Sequence, residues 1–187
     1  MIGLLSHPFV YGLFRLEVKG LERVQGSGFV LAANHTSNLD PWPLGIPFLP
    51  RRWLRFMAKS ELYWWPLSAL LDACGAFKVR RGEGDVDAIE KAVALVRSGE
   101  IVVMFPEGTR QKKGLRKKLA ARPRSGAARI AHLAGAPLVP AAIKGTDRLV
   151  RLAKLKVAYG EPFDPGDDAQ AATERLMREI DELYDTL

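Results

Sequence analysis

The sequence predicts a single-domain α/β protein: a mostly parallel β-sheet flanked by helices on both faces. Three observations carry that expectation. Short apolar runs of strand length alternate with longer segments of helical periodicity. The runs are nearly continuous in Val, Ile, Leu, Phe and Ala, as expected of strands covered on both faces, not alternating with polar residues as in a half-solvated sheet. The 187 residues contain no internal repeat, low-complexity tract or linker that would divide them. A chain of this length buries about 70% of its unfolded surface, so its core needs no disulfide or metal staple. The hydrophobic fraction of 48% beside 26% charged residues excludes a disordered chain.

Taken in order, residues 1–19 form an N-terminal segment. Met1 to Phe14 lacks the basic start and small-residue cleavage site of a secretory signal, so it is read as retained, and "LSHPFVYGLF" is suited to lying on a membrane. "RLEVKG" and "GFVLAA" are the first two expected strands, followed by "LRFMA", "AFKV", "EIVVMF", "APLVPAAI" and "LKVAYG". Between them Asp85 to Ser98 reads as a helix, with Val86, Ile89, Val93 and Val96 on one face, a capping box from Asp87 and Glu90, and Gly99 as its stop. Ser125 to Ala134 is a second helix. Asp168 to Tyr184 is a third, striped by Ala172, Leu176, Ile180 and Leu183, within an acidic C-terminal segment, residues 161–187. The longest apolar stretches, including "LYWWPLSALL" and "LAGAPLVPAAI", fall short of the roughly 20 residues that span a bilayer. Trp64 and Trp65 suit either the core or a membrane interface. Cys74, the single cysteine, has no internal disulfide partner and reads as a small buried hydrophobe in a reducing compartment.

The net charge of +7 is concentrated. No acidic residue lies between Glu107 and Asp147, an interval holding Arg110, Lys112, Lys113, Arg116, Lys117, Lys118, Arg122, Arg124, Arg129 and Lys144. Such a block is attracted to nucleic acid, anionic lipid or a phosphorylated substrate, and the bland alternative is a solvated loop.

In a parallel sheet, ligands bind where strands end. "NHTSNLD" follows the strand "GFVLAA", "RRGEGD" follows "AFKV", and "PEGTR" follows "EIVVMF". Three strand ends carrying His, Asp, Arg, Glu and Thr are therefore expected to converge on one cleft. A lone H-x4-D pair is more often a surface or capping arrangement. His7 and His132 lack any such context and read as structural or solvent-facing. No cluster has metal-ligand spacing, and no glycine loop of nucleotide-binding type is present.

Asn34-His35-Thr36-Ser37-Asn38-Leu39-Asp40 resembles the N-H-x-x-x-x-D motif of the glycerolipid acyltransferases, and Phe105-Pro106-Glu107-Gly108-Thr109-Arg110 matches their F-P-E-G-T-R motif. "GAFKVRR", with Gly75 and Arg81, and the pair Val139-Pro140 resemble two further blocks of the family in the right order. The resemblance covers about residues 20–160, the expected catalytic region, and is closest to the bacterial 1-acylglycerol-3-phosphate (lysophosphatidic acid) O-acyltransferases. The chain departs from many relatives in having only about 34 residues ahead of His35, without a long hydrophobic anchor, and in Arg80, a position often acidic in the family. The segment "QKKGLRKK" is also more basic than the family pattern.

The resemblance implies transfer of an acyl group from a coenzyme A or acyl carrier protein thioester to a lysophospholipid hydroxyl, with no cofactor beyond that co-substrate. The reaction removes the hydroxyl proton as oxygen attacks the carbonyl, and a neutral imidazole, with an ordinary pKa of about 6.5, suits that task. His35 is then the base, with Asp40 holding its other ring nitrogen as the acid does in a serine-protease triad. Arg81, Glu107, Gly108, Thr109 and Arg110 form the acceptor site, the arginines because their planar fork matches phosphate. The implied setting is peripheral, at the anionic cytoplasmic face of the cell membrane, with no nucleic-acid partner. Two alternatives stay open: an acyltransferase using glycerol 3-phosphate or another lysophospholipid, and a non-catalytic module docked on anionic membranes. His35, Asp40 and Glu107 favour an enzyme, since a docking surface has no use for carboxylates beside its anion.

Overall fold

All seven apolar runs fold as strands. The computed structural model describes residues 6–79, 86–108 and 123–187. Its strands are β1 (Glu17–Lys19), β2 (Phe29–Ala33), β3 (Leu54–Lys59), β4 (Ala76–Val79), β5 (Ile101–Met104), β6 (Leu138–Lys144) and β7 (Lys156–Tyr159). They make one sheet in the order β1-β7-β6-β2-β5-β3-β4. From β6 to β4 the strands run parallel, while β7 is antiparallel to β6 and β1 runs alongside β7. The reversal follows from the connection: between β6 and β7 there are only 3-10 turns, Thr146–Arg151, and a parallel return needs a longer crossover, usually a full helix.

The helices are α1 (Pro41–Gly45), α2 (Leu67–Ala73), α3 (Val86–Arg97), α4 (Gly126–Ala134) and α5 (Ala169–Asp185). Successive residues of a strand point to opposite faces, so β2, buried along its whole length, serves two cores. Val30 and Ala32 face α3, α4 and α5, which pack through Ala88, Ala92, Val96, Ala128, Ile130, Leu176 and Ile180. Phe29, Leu31 and Ala33 join Val103, Val139 and Ile143 in a second core. Shorter pieces cover that face: a π-helical turn, Phe9–Leu13, then α1 and a 3-10 turn, Ile46–Phe48. Helical structure thus lies on both faces, with the three long helices gathered on one.

Several local expectations are corrected. Helix α3 turns Ala88 and Ala92 inward beside Val93 and Val96, and leaves Val86 60% exposed. Small alanines allow the helix to approach the sheet closely, so the buried stripe is rotated away from the bulkier valine. Asp87 lies within the first turn of α3 and not ahead of it, so it is not the N-cap of a capping box. Cys74 is exposed, because α2 packs only at the sheet edge beside β4 and buries none of its residues. Trp64 and Trp65, just ahead of α2, are exposed as well. The C-terminal helix forms as its pattern predicts, with Asp168 accepting the N–H groups of Gln170 and Ala171 at 2.9 and 3.0 Å. Among the described residues no helix is long and apolar enough to cross a membrane.

Candidate active site

The motif after β2 is built from the strand end outward. Asn34 is buried, and its amide imitates one more backbone pair between β2 and β6: Nδ2 donates to the Ile143 carbonyl at 2.9 Å and Oδ1 accepts the Ile143 N–H at 2.8 Å. This ties the loop after β2 to the strand beside it. His35 follows, its ring 4.2 Å from that of Phe105 and nearly parallel to it, at 19°. The chain then turns, and Asp40 immediately precedes α1, whose first residue is Pro41.

Proline supplies no N–H at the helix start, and the Asp40 carboxylate makes no cap bond to α1. It points back into the loop. Asp40 Oδ2 accepts the Nδ1–H of His35 at 2.8 Å and the backbone N–H groups of Thr36 and Ser37 at 2.7 and 2.9 Å. Oδ1 accepts the hydroxyl of Thr146 at 2.5 Å, with the Thr36 hydroxyl oxygen 3.4 Å away. Asp40 has 0% exposure, and such donors are what a buried carboxylate requires, since an uncompensated buried charge costs several kcal/mol. With the ring proton assigned to Nδ1 by its carboxylate partner, Nε2 is the basic nitrogen of His35.

The β5 end supplies the second wall. Glu107 Oε2 accepts the backbone N–H of His35 at 3.4 Å. Gly108 closes a turn by donating to the Phe105 carbonyl at 2.9 Å. Glycine suits this turn, because φ is +67°, a left-handed conformation that costs other residues strain, and a Cβ would press within 2.9 Å of Arg124 Nε. The Arg124 guanidinium lies against this turn, and its backbone N–H bonds the Pro106 carbonyl at 2.8 Å.

The structure therefore brings together His35, Asp40, Glu107 and Gly108. Arg81, Thr109 and Arg110 lie outside the described residues, as does most of the basic interval. Sequence reasoning quoted Asn34 and Phe105 within the two motifs without giving them a role, missed Thr146 and placed Arg124 only in the basic block. The position of Thr146 just past a strand end was a signal, but it stands 106 residues from the carboxylate it touches. His7 is exposed and packs on Tyr11 at 4.4 Å, and His132 stands 3.8 Å from exposed Asp167. Among the described residues no group of three or more His, Cys, Asp and Glu side chains could hold a metal ion. An imidazole so held can take a proton from a hydroxyl placed at Nε2.

Comparison with known proteins shows the family. The acyltransferase family profile matches residues 15–144, from the approach to β1 through β6. The chain is 36% identical over 175 residues to the 1-acyl-sn-glycerol-3-phosphate acyltransferase of Bacillus subtilis (strain 168), spanning 86% of this chain and 83% of that one. It is 28% identical over 149 residues to the chloroplastic 1-acyl-sn-glycerol-3-phosphate acyltransferase BAT2 of Brassica napus, spanning 75% of this chain and 40% of that one. The crystal structure of the 1-acyl-sn-glycerophosphate acyltransferase PlsC from Thermotoga maritima superposes with a TM-score of 0.69 at 25% identity, covering 97% of this chain and 76% of that one. The matched span carries six of the seven strands and the loops that bear His35, Asp40 and Glu107, and the chain belongs to the acyltransferase family.

Proposed function

We propose that this chain moves a fatty acyl group from a thioester to the free hydroxyl of 1-acylglycerol 3-phosphate, making phosphatidate, with His35 as general base and Asp40 orienting it. The observation that carries the reading is the 2.8 Å contact between His35 Nδ1 and buried Asp40, which leaves Nε2 for the substrate. The names of the Bacillus, Brassica and Thermotoga relatives support the acceptor. His35 Nε2 takes the hydroxyl proton while the acceptor oxygen bonds to the thioester carbonyl carbon. The tetrahedral intermediate collapses by breaking the carbon–sulfur bond, and the departing thiolate, of coenzyme A or acyl carrier protein, receives the proton from the imidazolium. No acyl-enzyme forms, because the acceptor hydroxyl occupies the place of a protease serine.

Arg81 and Arg110 are assigned to the acceptor phosphate, with Glu107, Gly108 and Thr109 beside them. Arg124 adds a guanidinium at the Gly108 turn. The protein is peripheral to an anionic membrane surface, on its cytoplasmic side, through the basic interval from Arg110 to Arg129. Exposed Phe9, Tyr11, Leu13, Trp64 and Trp65 support that association.

Mass-spectrometric profiling of purified protein against acyl-CoA and acyl carrier protein donors, with 1-acylglycerol 3-phosphate, glycerol 3-phosphate and other lysophospholipids as acceptors, tests the activity. Phosphatidate is expected as the main product. A higher kcat/KM with glycerol 3-phosphate would reassign the acceptor, and binding to anionic vesicles without turnover on any acceptor would leave only a docking module. In co-sedimentation, anionic vesicles should outcompete neutral ones by about 1 kcal/mol per engaged basic residue, with salt weakening the preference.

A further inference from the structure

We infer that Thr146 is a positioning residue of the His35–Asp40 pair, a clamp delivered by β6 to a dyad carried by β2; the inference rests on the general-base reading above and deepens it. The dyad residues both belong to one loop, and a loop held only by its own backbone is free to shift as a unit. Three side-chain ties fasten this one to its neighbour. Asn34 brackets Ile143, extending the β2–β6 pairing past the last strand pair, Ala33 with Ala141. Thr36 meets Thr146 hydroxyl to hydroxyl at 3.0 Å. Thr146 then reaches Asp40 Oδ1 at 2.5 Å.

The backbone between Ile143 and Thr146 is shaped for this reach. Gly145 has a φ of +101°, and a Cβ there would meet the Lys154 carbonyl oxygen at 2.3 Å, so the chain turns sharply at once after β6 and keeps Thr146 buried at the dyad. Each threonine hydroxyl has one proton. Thr146 gives its proton to Asp40, so Thr36 donates in the contact between the two hydroxyls, and the chain of donors runs Thr36 to Thr146 to Asp40. Oδ2 already accepts three N–H groups. Oδ1 depends on Thr146, since the Thr36 hydroxyl, 3.4 Å away, gives its one proton to Thr146. Without that hydroxyl the buried Oδ1 keeps no short donor, and any turn of the carboxylate about its Cβ–Cγ bond toward a new one displaces the oxygen that holds His35 Nδ1. The hydroxyl of Thr146 bonds to Asp40 and Thr36 and not to the imidazole. It acts through Asp40.

The test compares Thr146→Val, which keeps the shape and removes the hydroxyl, with Thr146→Ser, which keeps the hydroxyl and removes the methyl. Two readouts are taken on the full-length protein: steady-state kinetics per folded molecule, and the downfield proton resonance of His35 Nδ1–H, assigned by its loss in His35→Ala among the three histidines. Thr146→Val should lose roughly 10- to 100-fold in kcat, the scale of one hydrogen bond to a charged group, with KM for donor and acceptor within about twofold. Its Nδ1–H resonance should move upfield or broaden into solvent exchange. Thr146→Ser should restore both. Equal losses in the two variants would make the methyl packing responsible and overturn the proposal, as would an unchanged resonance and kcat in Thr146→Val. Should His35→Ala retain turnover, the general-base reading fails, and the Nδ1–H resonance still reports by itself whether Thr146 holds the pair.

Discussion

His35 and His132 each present Nδ1 to an aspartate, yet the two pairs have little else in common. His132 is on the outer side of α4, 3.8 Å from Asp167, with side chains 46% and 103% exposed. The His35 pair is closed to 2.8 Å, with 17% exposure for the imidazole and none for the carboxylate. Water screens the outer contact, and surface pairs of that kind contribute about 0–1 kcal/mol. Around Asp40, water is replaced by fixed donors from Thr36, Ser37 and Thr146. The same two residue types therefore make a solvated contact in one place and a closed, oriented pair in another. Enclosure and the count of donors decide between them, and both come from the strand ends.

That contrast breaks if the inner pair can be altered without consequence. His35→Ala should abolish measurable acyl transfer while the circular-dichroism spectrum and thermal midpoint stay close to those of the parent, because the ring belongs to a loop and not to either core. Asp40→Asn should lower turnover by roughly 10³- to 10⁴-fold, since an amide in that position favours the wrong imidazole tautomer. Near-normal turnover in either variant would place the base elsewhere.

The next effect sharpens the comparison by testing the scaffold under the inner pair. Asn34→Ala strands the Ile143 N–H and carbonyl in a dry setting, at about 1–3 kcal/mol for each unsatisfied group. A chain of this size should then melt several degrees lower in a thermal scan, at roughly 2–4 °C per kcal/mol. Wild-type melting would mean that the loop after β2 holds itself.

Smaller again is the acceptor side. Arg81→Ala or Arg110→Ala should lose roughly 10- to 150-fold in kcat/KM for a soluble short-chain acceptor, with the thioester donor saturating, and lysine should recover only part of it. Lys112→Ala and Lys117→Ala should leave the same kinetics nearly unchanged. Equal losses across the four variants would turn the assigned fork into a diffuse field of charge. Least of all, His132→Ala should alter turnover by less than about twofold, as expected of a screened surface contact.

Much of this architecture was legible before any coordinates. The apolar runs marked the inner strands because burial on both faces leaves little room for polar residues, β1 (Glu17–Lys19) at the sheet edge being the polar exception, and "NHTSNLD" stood out because a polar, turn-forming segment directly after such a run lies at a strand end. The three long helices were found, and α5 packs through Ala172, Leu176 and Ile180 of its expected stripe, whereas α1 and α2, of five and seven residues, are too short for a periodic stripe to show. In α3 the stripe was rotated, because alanine at positions 88 and 92 carries the packing while being a weak hydrophobic signal. Residues such as Arg124 were grouped by charge alone, since nothing in a basic run tells which guanidinium folds back onto the Gly108 turn.

By itself the sequence determined the seven strands, the three long helices and the parallel bias of the sheet, which depend on periodicity over a few residues, while the resemblance of two motifs to a family pointed to the histidine and aspartate. Tertiary structure alone decided which strands became neighbours, and with that the site's second half. Thr146 meets Asp40 only because β6 pairs with β2 and not with β5, which the order of strands in the sheet settles. Likewise β7 turned antiparallel for want of a crossover helix, and Cys74 stayed exposed because α2 found only the sheet edge to pack against. Local propensity acts over one or two turns of chain, whereas these contacts depend on how whole strands share a common set of hydrogen bonds and a common core.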